Sequence, residues 1–357
     1  MASALFSNTK DLVEPRRTGR GWHMDDISLL LGSAISAAAL TWVLIVQLTT
    51  IHNIVGLYAI WFIIFVTIYR VVTHLHQGRL AARDKMMNVL IATAFIIVFM
   101  PLVFIISYVI TKGAPAINHD FFTQDLSVTG TLDQGGGAAH AIVGTLEQIS
   151  IACLISVPLG IMTAVFLNEV RGPLRKPVRL FVDAMSGVPS IVAGLFIFAV
   201  WIIQFHHSFS GFAAALAMSV LMLPSITRTS EEVLRLVPGG LREASLALGS
   251  TEWRTTWSVV LPTARAGLIT SVILGVARAV GETAPLIMTS FGNSAMNTNP
   301  FNGSQSSLPI FVYTLIRNPF AAQQSRAWGG ALVLITLVLI LFTLARIIGA
   351  RQPGARR

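Results

Sequence analysis

Met87–Thr111 reads MNVLIATAFIIVFMPLVFIISYVIT, 25 residues without one charge, bracketed by Lys85 and Lys112. At about 1.5 Å of rise per helical residue, such a run crosses a hydrocarbon core of roughly 30 Å. A soluble helix keeps a polar face over that length, so this stretch marks a membrane protein. The composition agrees: 54% of the 357 residues are hydrophobic and 11% are charged, and the mean hydropathy is +0.71. Too few charges remain to cover a soluble domain. The net charge of +9 comes from basic residues scattered between apolar runs, not from one patch, so nucleic acid is not implied as a partner. The one cysteine, Cys153, excludes an internal disulfide and reads as a small buried hydrophobe inside an apolar run.

Working outward, apolar runs at 27–50, 54–73, 87–111, 139–168, 180–204, 209–227, 263–291 and 329–349 predict eight membrane helices in an all-α, polytopic bundle. The first run is too long for a secretory signal and lacks a small-residue cleavage site, so it is expected to be retained. With both termini in the cytoplasm, 21 of the 25 Lys and Arg lie on the inner side: four each in the N-terminal tail, 70–85, 171–179 and the C-terminal tail, and five in 228–265. Lys112, Arg317 and Arg326 fall outside, and Arg278 lies within a span. Positive charge retained on the cytoplasmic side sets this orientation. Two external loops follow. Residues 112–138 carry Asp120, Asp125, Asp133 and a Gly135–Gly137 spacer. Residues 292–328 include Leu308–Arg317, apolar enough to dip back towards the membrane. Both loops are either docking surfaces for an outside partner or plain solvated connections.

The connection between the sixth and seventh spans is too long to be a turn. Pro238-Gly239-Gly240 breaks the preceding helix, Leu241–Leu248 form a short helix, and Gly249 suits its C-terminal cap. A second amphipathic helix is expected to place Trp253, Trp257 and Val260 on one face and to end at Pro262. A short helix with breaks at both ends can act as a lever. Glu243-Ala244-Ser245, then Gly249, then Val259-Val260-Leu261-Pro262 resembles the EAA loop of ABC-importer permeases. Ser245 stands where that family usually has Ala, and Val259 where it has Ile. The resemblance implies a cytoplasmic ATPase dimer whose grooves receive the coupling loop 228–262. The chain itself has no phosphate-cradling loop, because Lys10, Lys85, Lys112 and Lys176 all stand in the wrong context. ATP and Mg are therefore expected on the partner ATPase, with no cofactor in this chain.

Ionisable residues inside spans are costly and mark functional sites. Arg278 and Glu282, in ARAVGETAPL, are four residues apart and would share a face of the seventh helix. They would pair with each other when the path is empty, until an oxyanion competes for the planar Arg278 fork. Gly281 would permit close helix approach and Pro285 would interrupt the ladder, making this face deformable. A purely structural buried ion pair is the competing reading. Asp183 is expected at headgroup level facing Arg179, and Glu147 belongs to no recognised motif.

RAVGETAPLIMTSF resembles the phosphate-specific ABC-importer permeases of the PstA type. PLGIMTAVFLNEV, VDAMSGVPSIVAGL, LPSITRTSEEVLRLVPGGLREASLALG and LPIFVYTLIRNPF follow that family's order over roughly residues 87–348. Asn168-Glu169-Val170 departs from it. The resemblance implies a six-helix permease core within 87–350, preceded by a basic tail and two extra helices at 1–86 and followed by a basic tail at 351–357. It maps Arg278 and Glu282 onto the transport path, and Arg228 onto an arginine at the cytoplasmic end of the sixth span. It also implies a homologous second permease subunit, an extracytoplasmic phosphate-binding protein and a place in the cytoplasmic membrane. Another oxyanion such as sulfate, molybdate or phosphonate is the alternative cargo. Outside the class, an ion-coupled secondary transporter would use Arg278 and Glu282 as a relay, and a membrane scaffold or sensor is a third reading. His74, His76, His206 and His207 have no carboxylate or cysteine completing a ligand set, so no metal site is expected.

Overall fold

The computed structural model describes residues 24–47 and 53–350. The expected tails at 1–23 and 351–357, and the end of the first span at residue 50, lie outside the described residues. The chain divides between Phe104 and Ile105 into two compact units.

In the first unit, α1 (Met24–Thr41) continues as a π-helical turn to Gln47 and is followed by α2 (Ile54–Gln77) and the first part of α3 (Arg79–Gly113). Ser33, Ala37 and Thr41, buried at every fourth position, give α1 a smooth stripe. Against it α2 sets Trp61, Phe65 and Tyr69, whose rings stack in sequence at 5.7 and 5.9 Å. Trp61 Nε1 donates to the Ala34 carbonyl at 3.3 Å. At the end of this unit Lys85 pairs with Asp26. The stretch that decided the fold lies in α3, whose most apolar part has a mean hydropathy of 3.0 and is nowhere buried. Lipid is the solvent that such a surface requires.

The second unit holds α4 (His119–Thr123), α5 (Ala139–Glu169), α6 (Arg175–Ser186), α7 (Ser190–Ile197, prolonged as a π-helical stretch to Gln204) and α8 (Gly211–Arg235). These are followed by α9 (Gly239–Ala247), α10 (Glu252–Thr255), α11 (Leu261–Val280), α12 (Ala284–Thr289), α13 (Leu308–Ile316) and α14 (Ala321–Ala350). The core is built where α5 and α8 lie side by side through small residues: Ile149 and Ala152 pack with Ala214, Ala215 and Met218, and further along Ala164 packs with Leu234. Ile226 of α8 wedges between two glycines. An added Cβ would lie 2.9 Å from it at Gly160 and 2.5 Å from it at Gly275 of α11, so three helices close on one isoleucine.

Seven described helices are long and apolar enough to cross a membrane, and α6 with α7 make an eighth if that bent pair is one span. Three expectations need correction. The fifth span is not a straight helix from 180 to 204: α6 and α7 meet at 106°. Pro189 lacks an N–H and pushes Val188 towards extended backbone, and the α6 half carries Arg175, Lys176, Arg179 and Asp183 while the α7 half is apolar. The seventh span does not run to 291, because its helix stops at Val280 and α12 begins afresh at Ala284. The Pro285 ring would clash with the carbonyl four residues back, at Gly281, and the ladder ends there. Conversely, Pro262 ends nothing. A π-type turn over Thr256–Val260 re-registers the ladder, with Leu261 N–H bonding the Thr256 carbonyl, and the helix continues from Glu252 to Val280.

Candidate anion path and coupling elbow

Arg228 lies near the end of α8, one turn past Pro224. Across from it the end of α6 presents Met185, Ser186 and Val188, and α11 presents Arg278. Together with Leu221, Ser225 and Thr229 these line a cavity of about 220 Å³, open on one side. Two guanidiniums and three hydroxyls thus converge on one space. A second cavity, about 250 Å³ and walled by apolar side chains such as Val272, Val338 and Phe342, offers an anion nothing.

The arginines of this cavity are charged against different partners. Arg228 pairs with Asp183 and lies 3.6 Å from Glu231 Oε2. Glu231, 2% exposed, also takes Arg235 at 2.6 Å and Arg179. Asp183 therefore does not face Arg179 in a pair of their own. The two are one turn apart on the α6 face packed against α8, where Arg228 and Glu231 are also one turn apart, and the charges cross over between helices.

Arg278 is exposed on the last turn of α11. Glu282 lies beyond the helix end, with its N–H turned back to the Ala279 carbonyl, and no ion pair joins it to Arg278. The expected shared face fails because the helix that would create it ends at Val280. Glu282 is also absent from the cavity wall. Gly281 touches nothing within 4 Å of an added Cβ, so it makes no close helix contact. The close approach is made instead by Gly194 of α7, where an added Cβ would lie 2.6 Å from Pro285 Cα.

Beside this region lies the elbow. α8 ends at Arg235, Pro238 precedes α9, and Gly249 turns the chain at φ +84°, a left-handed conformation that L side chains rarely adopt. Thr251 then caps α10, accepting from the Arg254 N–H at 3.3 Å. Ser245 bonds Thr255 Oγ1 at 2.9 Å across the elbow, which explains a hydroxyl where the family usually has a methyl. Glu243, Ala244, Leu246, Leu248 and Gly249 are exposed. Trp253 and Trp257 share an exposed face, their rings 5.4 Å apart, whereas Val260 is fully buried against Ala164, Leu234 and Ala264. The π-type turn rotates Val260 away from the tryptophans, against the expectation of one common face.

Two residues passed over in the sequence become prominent. Arg242 of α9 donates to Glu169 at 2.9 and 3.3 Å, to the Val237 carbonyl at 2.8 Å and to the Leu234 carbonyl at 3.0 Å. One guanidinium thereby fastens the elbow to the ends of α5 and α8. Gln305, on the segment before α13, donates to Glu147 of α5 and accepts from Gln148 at 3.1 Å, which gives Glu147 its partner. Gly137 is no spacer either, since an added Cβ there would meet the Phe121 carbonyl at 2.5 Å.

The fold and the cavity define a polytopic helical membrane protein that gathers cationic side chains beside a solvent-exposed elbow. Residues 156–352 match the profile described as the binding-protein-dependent transport system inner membrane component, and the chain belongs to that family. It is 44% identical over 248 residues to the phosphate transport system permease protein PstA of Mycobacterium leprae, covering 69% of this chain and 82% of that protein. It is 36% identical to the PstA of Pasteurella multocida, covering 77% of this chain and 96% of that one. A bacterial alginate ABC transporter crystallised with its alginate-bound periplasmic protein has the same fold, with a TM-score of 0.56 at 16% identity over 75% of this chain and 95% of that one.

Proposed function

We propose that the chain is the permease subunit of an ATP-driven importer of inorganic phosphate, forming half of the translocation path in the inner membrane with both termini cytoplasmic. The observation that carries the reading is the meeting of Arg228 and Arg278 on one half-open cavity, in a chain whose relatives are phosphate transport permeases. Guanidinium forks match the oxygens of phosphate, and Ser225 on the same wall supplies a hydroxyl donor, the Ser186 and Thr229 hydroxyls being turned back to the Val182 and Ser225 carbonyls. The open side of the cavity is the place for a homologous second permease subunit. The α9 helix, with Glu243, Ala244, Ser245 and the Gly249 turn, is the lever received by a separate ATPase dimer that binds ATP and Mg. Leu261 and Pro262 continue that lever directly into the α11 span that carries Arg278. The external segments meet an extracytoplasmic phosphate-binding protein. Glu282 lies at the break between α11 and α12, four residues past Arg278 in sequence, and Gly281 and Pro285 flank the break that lets it move.

Labelled phosphate and labelled sulfate offered to vesicles containing the complete transporter test this reading. Phosphate should enter in an ATP-dependent manner, with sulfate at background. Sulfate entry at a comparable rate would contradict the assignment of cargo.

A further inference from the structure

Arg228 is not free in its cavity. Asp183 pairs with it from the last turn of α6, and Glu231 lies 3.6 Å away on α8. The two carboxylates are held differently. Glu231 is 2% exposed and already fixed by Arg179 and Arg235. Asp183 is 39% exposed, and among the described residues Arg228 is its one ion-pair partner. The same end of α6 supplies Met185 and Ser186 to the cavity wall; Asp183 is not itself on that wall, but it holds Arg228, which is. Arg278, on the other wall, is in no ion pair among the described residues.

We infer that Asp183 is a resident counter-anion that competes with the transported oxyanion for Arg228 and makes that arginine a release point. The inference rests on the phosphate-permease reading above. An unopposed guanidinium in a low-dielectric cleft would hold a dianion tightly. A tethered carboxylate has a high effective concentration at its partner. It takes over Arg228 as the anion departs, so neither charge is left bare in the cleft. Arg278, with no such competitor, is the side on which the anion is first held. Asp183 is a positioning residue, acting on the substrate only through Arg228.

Vesicles containing the complete transporter, with ATP and graded unlabelled phosphate enclosed on the cytoplasmic side, measure this through uptake of labelled phosphate. Asp183→Asn should be half-inhibited at about one-tenth of the internal phosphate that half-inhibits the wild type, an affinity change of about tenfold, with a lower maximal rate. Asp183→Glu should behave as the wild type. Should Asp183→Asn fail to insert, Asp183→Ser carries the same expectation. A merely structural role would lower uptake at every internal concentration without moving the inhibition midpoint, and that result overturns the inference, as does an Asn variant indistinguishable from the wild type. Wild-type vesicles that take up no phosphate would refute the reading beneath it instead, so the two failures are distinct.

Discussion

Asp125 ties the segments 112–138 and 292–328 together, accepting from Ser127 Oγ at 2.7 Å and from the Met296 N–H at 2.9 Å. The Ser127 hydroxyl, then the Met296 and Ser127 amides, hold its pKa below the ordinary carboxylate range. A carboxylate whose folded pKa is depressed contributes stability above its unfolded value, and that contribution is lost as pH falls through the folded value. The Met296 amide should therefore stay protected from hydrogen exchange from neutral pH down to about pH 4, the ordinary carboxylate value, and lose protection only below it. Loss already near neutrality would contradict the tie. Pairings of this kind were the least legible feature of the sequence. Helical periodicity relates neighbours within one element, whereas Arg242 and Glu169 are 73 residues apart. Arg179 and Asp183 looked like each other's partners because they are one turn apart on α6, but α8 supplied closer opposite charges to both. The arginines themselves were legible, since a charge inside an apolar run stands out, and resemblance added Arg228.

The elbow was readable almost whole at the level of elements. A long polar connection, a Pro-Gly-Gly break and an isolated glycine predicted a short helix, and the structure has one over Gly239–Ala247 with Gly249 at φ +84°. Forcing an L side chain into that conformation costs about 1–2 kcal/mol. Gly249→Asp adds a charge to the exposed turn, and Glu243→Lys reverses one on the exposed side of α9. Both variants should insert normally, and both should hydrolyse ATP while phosphate uptake falls to less than about a tenth, since tight coupling is what the lever provides. Simultaneous assay of hydrolysis and uptake reads this directly, and normal uptake would refute the coupling role of α9. The helix ends were misread for one physical reason. A proline's effect depends on the turn before it: the π-type turn at Thr256–Val260 accommodates Pro262, while Pro285 has only Gly281 upstream and breaks the span.

Across the whole molecule, the charge-free run Met87–Thr111 marks a membrane protein and the eight apolar runs predict about eight spans; seven long apolar helices form, and an eighth if the bent pair is one span. Composition cannot show that α6 and α7 meet at 106°, because hydropathy averages over the bend. Yet that hinge is what places α6 against α8 and brings Ser186, Arg228 and Arg278 to a common cavity. The proposed path for the anion is thus a product of the tertiary structure, made from residues 92 positions apart between Ser186 and Arg278. Its central element is Arg278, the cation of the cavity without an ion pair among the described residues, and the most direct measurement is ATP-driven phosphate uptake by the Arg278→Ala transporter in vesicles. The account predicts uptake at background while the ATPase remains active, a loss of at least about a hundredfold, in keeping with removal of a charge-assisted contact of up to about 3 kcal/mol. Uptake at the wild-type rate and with unchanged selectivity would contradict it.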